Sequence, residues 1–271
     1  MADSSLPSPA ATASTHSPAQ PSGGAVSVLD LAPVLPVVVV DDAEDAVPLA
    51  RALVAGGLPA IEVTLRTAAA PEAIRAIGAA VPGAVVGAGT VLGSEHVDVA
   101  VDAGARFLVS PGWTDALLSA MRASGLPCLP GVSTASEVVA LLERGVREMK
   151  FFPAQAAGGT AYLRSLYGPL PQVRFCPTGG IGPANAPEYL ALPNVGCVGG
   201  SWMVPGDAVA ARDWGRVERL AREAAALGDT VPSSTVPSST APSSTAPSGT
   251  GPSSTAPVFA PSVKPSGGTC R

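Results

Sequence analysis

FLVSPGWTDALLSAMRASGLPCLP, residues 107–130, holds one complete strand–helix–strand unit. Phe107–Ser110 is a short apolar run that stops at Pro111-Gly112, where a loop begins. Asp115–Ala123 reads with helical period, and Gly125 follows where a left-handed C-cap is wanted. Pro127–Leu129 then opens the next apolar run.

The unit repeats in both directions along the chain. Further strands are expected at Val34–Val40, Ala60–Val63, Val85–Gly87, Glu148–Phe152, Arg174–Pro177 and Gly196–Gly199. Helical stretches follow at Ala43–Ala55, Pro71–Ala80, Glu95–Ala103, Thr134–Arg144, Thr160–Tyr167, Ala184–Ala191 and Asp213–Leu227. Strands recur roughly every 20–26 residues, the length of a compact βα unit. Gly56-Gly57, Gly104 and Gly145 close helices as Gly125 does. Eight such units predict an α/β chain folded as a (β/α)8 TIM barrel over residues 26–228. A doubly wound open sheet is the structural alternative.

Outside that core the composition changes. Residues 1–25 and 229–271 are dominated by Ser, Pro, Ala and Thr and hold 12 of the 29 prolines. The second segment carries five consecutive pentapeptides, from Val231-Pro-Ser-Ser-Thr235 to Gly251-Pro-Ser-Ser-Thr255. Proline at every fifth residue forbids a helix and the apolar content is too low for packing, so both segments are expected to be disordered tails.

Bulk chemistry excludes several classes. The net charge is −5 and no block of Lys/Arg occurs, which argues against a nucleic-acid surface. No apolar run approaches the ~20 residues of a membrane helix. The N-terminus lacks the basic and apolar regions of a secretory signal, and the expected location is the cytoplasm. Cys128, Cys176, Cys197 and Cys270 show no paired CxxC spacing and read as reduced thiols. With only His16 and His96, a histidine-rich metal site is excluded, and neither metal nor cofactor is expected.

The two lysines are Lys150 and Lys264, so the core holds one, inside the apolar strand Met149-Lys150-Phe151. Desolvation there disfavours the ammonium and leaves a fraction of neutral amine. Such an amine can attack a ketone to form a Schiff base, which an arginine cannot. Glu62 interrupts another apolar strand and suits proton shuttling beside Lys150. The plainer alternative is an ion pair between the two that merely fills the interior. Arg66 offers a planar fork for a carboxylate, and Thr90, after Gly87-Ala-Gly89, a hydroxyl. Gly179-Gly180 and Gly199-Gly200-Ser201 follow the last two strands, where barrels bind phosphate on bare backbone N–H groups.

These strings resemble one family, the class I 2-keto-3-deoxy-6-phosphogluconate (KDPG) aldolases, also described as 4-hydroxy-2-oxoglutarate aldolases. The resemblance spans about residues 28–227. It rests on Ala55-Gly-Gly57, Ile61-Glu-Val-Thr-Leu-Arg-Thr67, Val86-Gly-Ala-Gly-Thr-Val91, Val109-Ser-Pro-Gly112, Pro130-Gly-Val-Ser-Thr134, Lys150-Phe-Phe-Pro-Ala154, Arg174-Phe-Cys-Pro-Thr-Gly-Gly-Ile181 and Gly199-Gly-Ser-Trp202. It implies that Lys150 is the Schiff-base lysine and Glu62 the general acid/base. By the same resemblance Arg66 and Thr90 hold the pyruvate carboxylate, while Pro111 and Phe152 line the pocket. Thr178, Gly179, Gly180, Gly200 and Ser201 fall at the sugar-phosphate end.

The implied reaction cleaves KDPG to pyruvate and glyceraldehyde 3-phosphate, with 4-hydroxy-2-oxoglutarate, giving pyruvate and glyoxylate, as a second substrate. The implied partner is a small phosphorylated 2-keto acid, in a homotrimer. Two departures stand out. Many relatives read Glu-Ala-Asn-Gly-Gly where this chain has Gln155-Ala-Ala-Gly-Gly159, and Val37–Val40 lacks an arginine that some relatives carry. Other readings are an aldolase for the phosphogalactonate epimer, a metal-dependent aldolase or phosphosugar isomerase, and a non-catalytic phosphosugar-binding or scaffold barrel.

Overall fold

The computed structural model describes residues 27–228. The two expected tails, with His16, Lys264, Cys270 and the pentapeptides, lie outside the described residues. The elements are β1 (Val34–Val38), α1 (Ala43–Ala55), β2 (Ala60–Thr64), α2 (Ala70–Ala80), β3 (Val85–Gly89), α3 (Ser94–Asp102), β4 (Leu108–Val109) and α4 (Asp115–Ala123). They continue with β5 (Cys128–Leu129), β6 (Gly131–Val132), α5 (Ala135–Glu143), β7 (Glu148–Phe151), α6 (Gly159–Tyr167), β8 (Arg174–Pro177), α7 (Ala186–Leu190), β9 (Val198–Gly200), α8 (Gly206–Ala210) and α9 (Trp214–Ala225).

Local chemistry explains several boundaries. Asp42 caps α1 by accepting from the Glu44 N–H, and Thr114 caps α4 by accepting from that of Leu117. Thr134 and Glu137 form a reciprocal capping box at the start of α5. Of the expected helix-closing glycines, Gly57, Gly104, Gly125 and Gly145 all sit at positive φ. Gly56 instead keeps a right-handed conformation as the C-cap of α1.

Strand order is β5-β4-β3-β2-β1-β9 in one sheet and β6-β7-β8 in another, with every ladder parallel. The architecture is therefore α/β with parallel strands, as expected, but the strands form two sheets rather than one uninterrupted eight-stranded ladder. Pro130 marks one break: it has no N–H to donate, and the strand expected at Pro127–Leu129 is observed as β5 and, across Pro130, β6. At the other end, single parallel bridges join Phe175 to Val195 and Thr178 to Gly199. The first strand ends at Val38, two residues before the expected Val40. The five-residue helix α8 is a further addition, too short for its periodicity to be read.

Side chains alternate across the sheets, as the pleat demands. One face packs Val34, Ile61, Val63, Leu108, Met149, Phe151 and Phe175 into the large core beneath the helices. The other face gathers Leu35, Ala60, Phe107, Val109, Leu129 and Cys176 in a smaller cluster, closed by Val28 and Leu29 of a short 3-10 helix. Ser27 Oγ donates to both Glu148 carboxylate oxygens at 2.8 and 2.7 Å, and Arg174 pairs with Glu148 and Asp30. These ties hold the N-terminal ends of β7 and β8, and the candidate site lies at their opposite ends. No helix among the described residues is long and apolar enough to cross a membrane.

Candidate active site

Lys150 and Glu62 share the face of Ala60 and Cys176, since each lies two residues from one of them or beside it in register. Lys150 aligns with Gly131 of β6 and Cys176 of β8, while Glu62 aligns with Val37 of β1 and Gly87 of β3. Eighty-eight residues apart in sequence, the two side chains meet: Lys150 Nζ is 3.1 Å from Glu62 Oε1. Their side chains are 7% and 1% exposed. Glu62 Oε2 is buried and has no hydrogen-bond partner among the described residues. A buried acceptor left open in this way is available to a donor that arrives with a ligand.

Small residues make room for the pair. A Cβ on Gly89 would lie 2.2 Å from Glu62 Oε1, and one on Gly131 would lie 2.2 Å from the Pro111 carbonyl carbon. Gly131, in register with Lys150, thus lets the Pro111 backbone approach β6 closely. Phe152, half-buried, places its ring 5.5 Å from Lys150 Nζ. That ring adds an apolar wall beside the amine.

Arg66 leaves the end of β2 exposed, and its Nε donates to Thr90 Oγ1 at 3.2 Å. Thr90 adopts φ +56°, a left-handed conformation rare for a β-branched residue. Outliers of this kind concentrate at functional sites, where the surrounding structure maintains them. Among the described residues no side-chain hydrogen bond joins Arg66 and Thr90 to the Lys150–Glu62 pair.

Beyond β8, Thr178 is buried, Gly179 half-buried and Gly180 exposed. Thr178 is bridged to Gly199, where a Cβ would lie 2.2 Å from Thr178 Oγ1. Gly200 is buried against the Trp202 ring, and Ser201 is exposed. The two glycine segments read from sequence are thus adjacent in space, one bridge apart. Pro111, half-buried, meets the site through its carbonyl at Gly131.

Sequence reading gave no role to Ser110, Trp113 or Thr64. Ser110 is fully buried at the end of β4, and among the described residues neither its hydroxyl nor the buried Trp113 indole N–H has a hydrogen-bond partner. A hydroxyl at a strand end was the available signal for Ser110. Thr64, also buried, donates to the Val38 carbonyl at 3.1 Å and ties β2 to the end of β1. Cys176 and Cys197 are free and buried, in line with the reading of reduced thiols; Cys197, hydrogen-bonded to Cys176, is held well above the ordinary thiol range by that bond and by burial.

Among the described residues Lys150 is the one lysine, and it faces the Glu62 carboxylate. Residues 26–220 match the aldolase family model described as KDPG and KHG aldolase. The KHG/KDPG aldolase of Escherichia coli (strain K12) is 54% identical over 200 residues, which cover 74% of this chain and 94% of that protein. The 2-dehydro-3-deoxy-phosphogluconate aldolase of Zymomonas mobilis is 52% identical over 200 residues, 74% of this chain and 94% of the relative. A KDPG aldolase from Legionella pneumophila, solved with pyruvate captured as a covalent carbinolamine intermediate, is 47% identical with a TM-score of 0.71, covering 73% of this chain and 96% of that one. A family model matched across most of the described residues, relatives near half identity over almost their whole lengths, and a superposable fold together leave one assignment: the chain belongs to the KDPG and KHG aldolase family.

Proposed function

We propose that this chain is a Schiff-base aldolase that cleaves KDPG to pyruvate and glyceraldehyde 3-phosphate, with Lys150 as the nucleophile and Glu62 as the general acid/base. The observation that carries the reading is the buried 3.1 Å contact between Lys150 Nζ and Glu62 Oε1. The carbinolamine seen in the Legionella pneumophila relative supports the covalent route.

The chemistry follows from the pair. Glu62 takes a proton from the Lys150 ammonium, and Nζ attacks the C2 ketone to form a carbinolamine. Protonation of its hydroxyl, with Glu62 as acid, expels water and leaves an iminium. Glu62, again a carboxylate, removes the C4 hydroxyl proton. The C3–C4 electron pair then moves into the iminium, releasing glyceraldehyde 3-phosphate and leaving the enamine of pyruvate. Protonation at C3 and hydrolysis return pyruvate and free Lys150. In this reading Arg66 and Thr90 hold the C1 carboxylate, Pro111 and Phe152 wall the pocket, and Thr178, Gly179, Gly180, Gly200 and Ser201 receive the phosphate.

The remaining assignments belong to the same proposal. The catalytic domain spans 26–228, and its two sheets close into a (β/α)8 barrel. Supporting closure, β5 and β6 run on across one proline, and Thr178 bridges to Gly199 at the other seam. The enzyme works in the cytoplasm as a homotrimer, with apolar Leu92, Val99 and Val101, all exposed on the single chain, available to an interface. The name of the Escherichia coli relative, KHG/KDPG aldolase, favours 4-hydroxy-2-oxoglutarate as a second substrate.

A side-by-side assay of KDPG, its galactonate epimer and 4-hydroxy-2-oxoglutarate tests the substrate assignment. Pyruvate should form fastest from KDPG. Absence of pyruvate from all three would contradict the proposal.

A further inference from the structure

The loop after β7 does not separate from the loop after β8. The Ala154 N–H donates to the Thr178 carbonyl at 2.8 Å and the Gln155 N–H to that of Gly179 at 3.0 Å. The ladder pattern thus continues past the strands, directly beneath the glycine pair. Gly180 takes φ +74°, and a Cβ there would lie 2.6 Å from Gln155 Cβ.

Gln155 also reaches across to the element that follows the glycines. Its Oε1 accepts a hydrogen bond from Tyr189 Oη on α7 at 2.8 Å. Tyr189 is 1% exposed, and burial followed by the Glu188 charge pushes its phenol above the ordinary value, so it remains a donor. Gly159 leaves the space in which the two meet, since a Cβ there would come within 3.3 Å of Tyr189 Oη. On the far side Asn185 accepts from the Gly182 N–H at 2.8 Å and donates to the Gly180 carbonyl at 3.0 Å. The Gly179 carbonyl is therefore held by the Gln155 N–H and the Gly180 carbonyl by Asn185, just before α7, while Tyr189 of α7 holds the Gln155 side chain.

From this geometry we infer that Gln155 is a positioning residue for the phosphate end of the substrate: by accepting the Tyr189 hydrogen bond, it fixes the Gly179-Gly180 segment in the shape that receives a phosphate monoester. The inference rests on the aldolase reading and deepens it. Among the described residues no hydrogen bond joins Gln155 to Lys150, and Gln155 acts through the backbone of the glycines. A loop fastened before the ligand arrives loses less freedom on binding, which strengthens the hold on the phosphate.

Condensation run in the synthetic direction separates this role from catalysis. Pyruvate is offered D-glyceraldehyde 3-phosphate or D-glyceraldehyde, so that the same bond forms with and without phosphate. Gln155→Ala and Tyr189→Phe should each raise KM for the phosphorylated aldehyde about tenfold, the worth of one hydrogen bond, with kcat retained. Neither should alter turnover of the unphosphorylated aldehyde. Gln155→Glu keeps an acceptor and should return KM to near the parent value. Equal losses on both aldehydes, or no change on either, would overturn the inference while leaving the aldolase reading intact. A parent enzyme that condenses neither aldehyde with pyruvate would overturn both.

Discussion

Lys150 Nζ and Glu62 Oε1 stand 3.1 Å apart on strands that are not neighbours, with both side chains sealed from solvent. A buried ion pair is expensive to assemble, and apolar residues of similar volume often stabilise a fold as well or better. Its presence therefore points to chemistry rather than stability. Glu62→Ala, which leaves the Lys150 charge unpaired, should lower stability by about 3–5 kcal/mol in urea melts. The double variant Glu62→Leu, Lys150→Met should recover most of that loss and have no aldolase activity. A double variant no more stable than Glu62→Ala would contradict this account of the pair.

Glu62→Gln retains an oxygen acceptor for Lys150 but cannot exchange protons. Its kcat should fall by about 10²–10⁴, the usual contribution of a positioned acid/base. Steady-state turnover of KDPG is the measurement. A kcat within a factor of about two of the parent would remove Glu62 from the mechanism.

Gly89→Ala drives a methyl into the Glu62 carboxylate, 2.2 Å from Oε1 and 2.5 Å from Cγ. Overpacking of this kind costs about 1–3 kcal/mol, and here it also shifts the Glu62 carboxylate away from Lys150. Activity should fall more steeply than stability. Gly168→Ala, where nothing lies within 4 Å of the new methyl, is the control and should leave both unchanged.

Much of this was legible in the chain because two signals coincide in it. Short apolar runs at a regular spacing, several of them preceded by a closing glycine, give the βα order, and positive φ at Gly104, Gly125 and Gly145 meets that expectation. Charged residues inside such runs single out Lys150 and Glu62 without any knowledge of their distance. What stayed hidden depends on contacts between remote residues. The space Gly89 leaves for Glu62, the left-handed turn at Thr90 and the hold of Gln155 on Tyr189 have no local pattern. The break at Pro130 is a different case: its missing donor is visible in the sequence, but its effect depends on which partner strand needed that N–H.

Glu137 supplies a pH-dependent prediction away from the pair. Burial pushes its carboxyl up, but hydrogen bonds from the backbone and hydroxyl groups of Ser133 and Thr134 outweigh it and hold the carboxyl below its ordinary value of 4.5. A group depressed in the folded state adds stability above its unfolded pKa and loses it as pH falls through the folded one. Glu137→Ala should therefore cost about 1 kcal/mol at neutral pH, the typical worth of a helix cap. That gap should close as the pH drops through and below 4.5. Thermal melts of parent and variant across that range provide the check.

The central claim is a covalent bond from one amine. Pyruvate added with borohydride should inactivate the enzyme and leave a single reduced adduct, which peptide mass mapping assigns to Lys150. Lys150→Arg should give neither adduct nor activity. An adduct on any other group, or full activity in Lys150→Arg, would contradict the account.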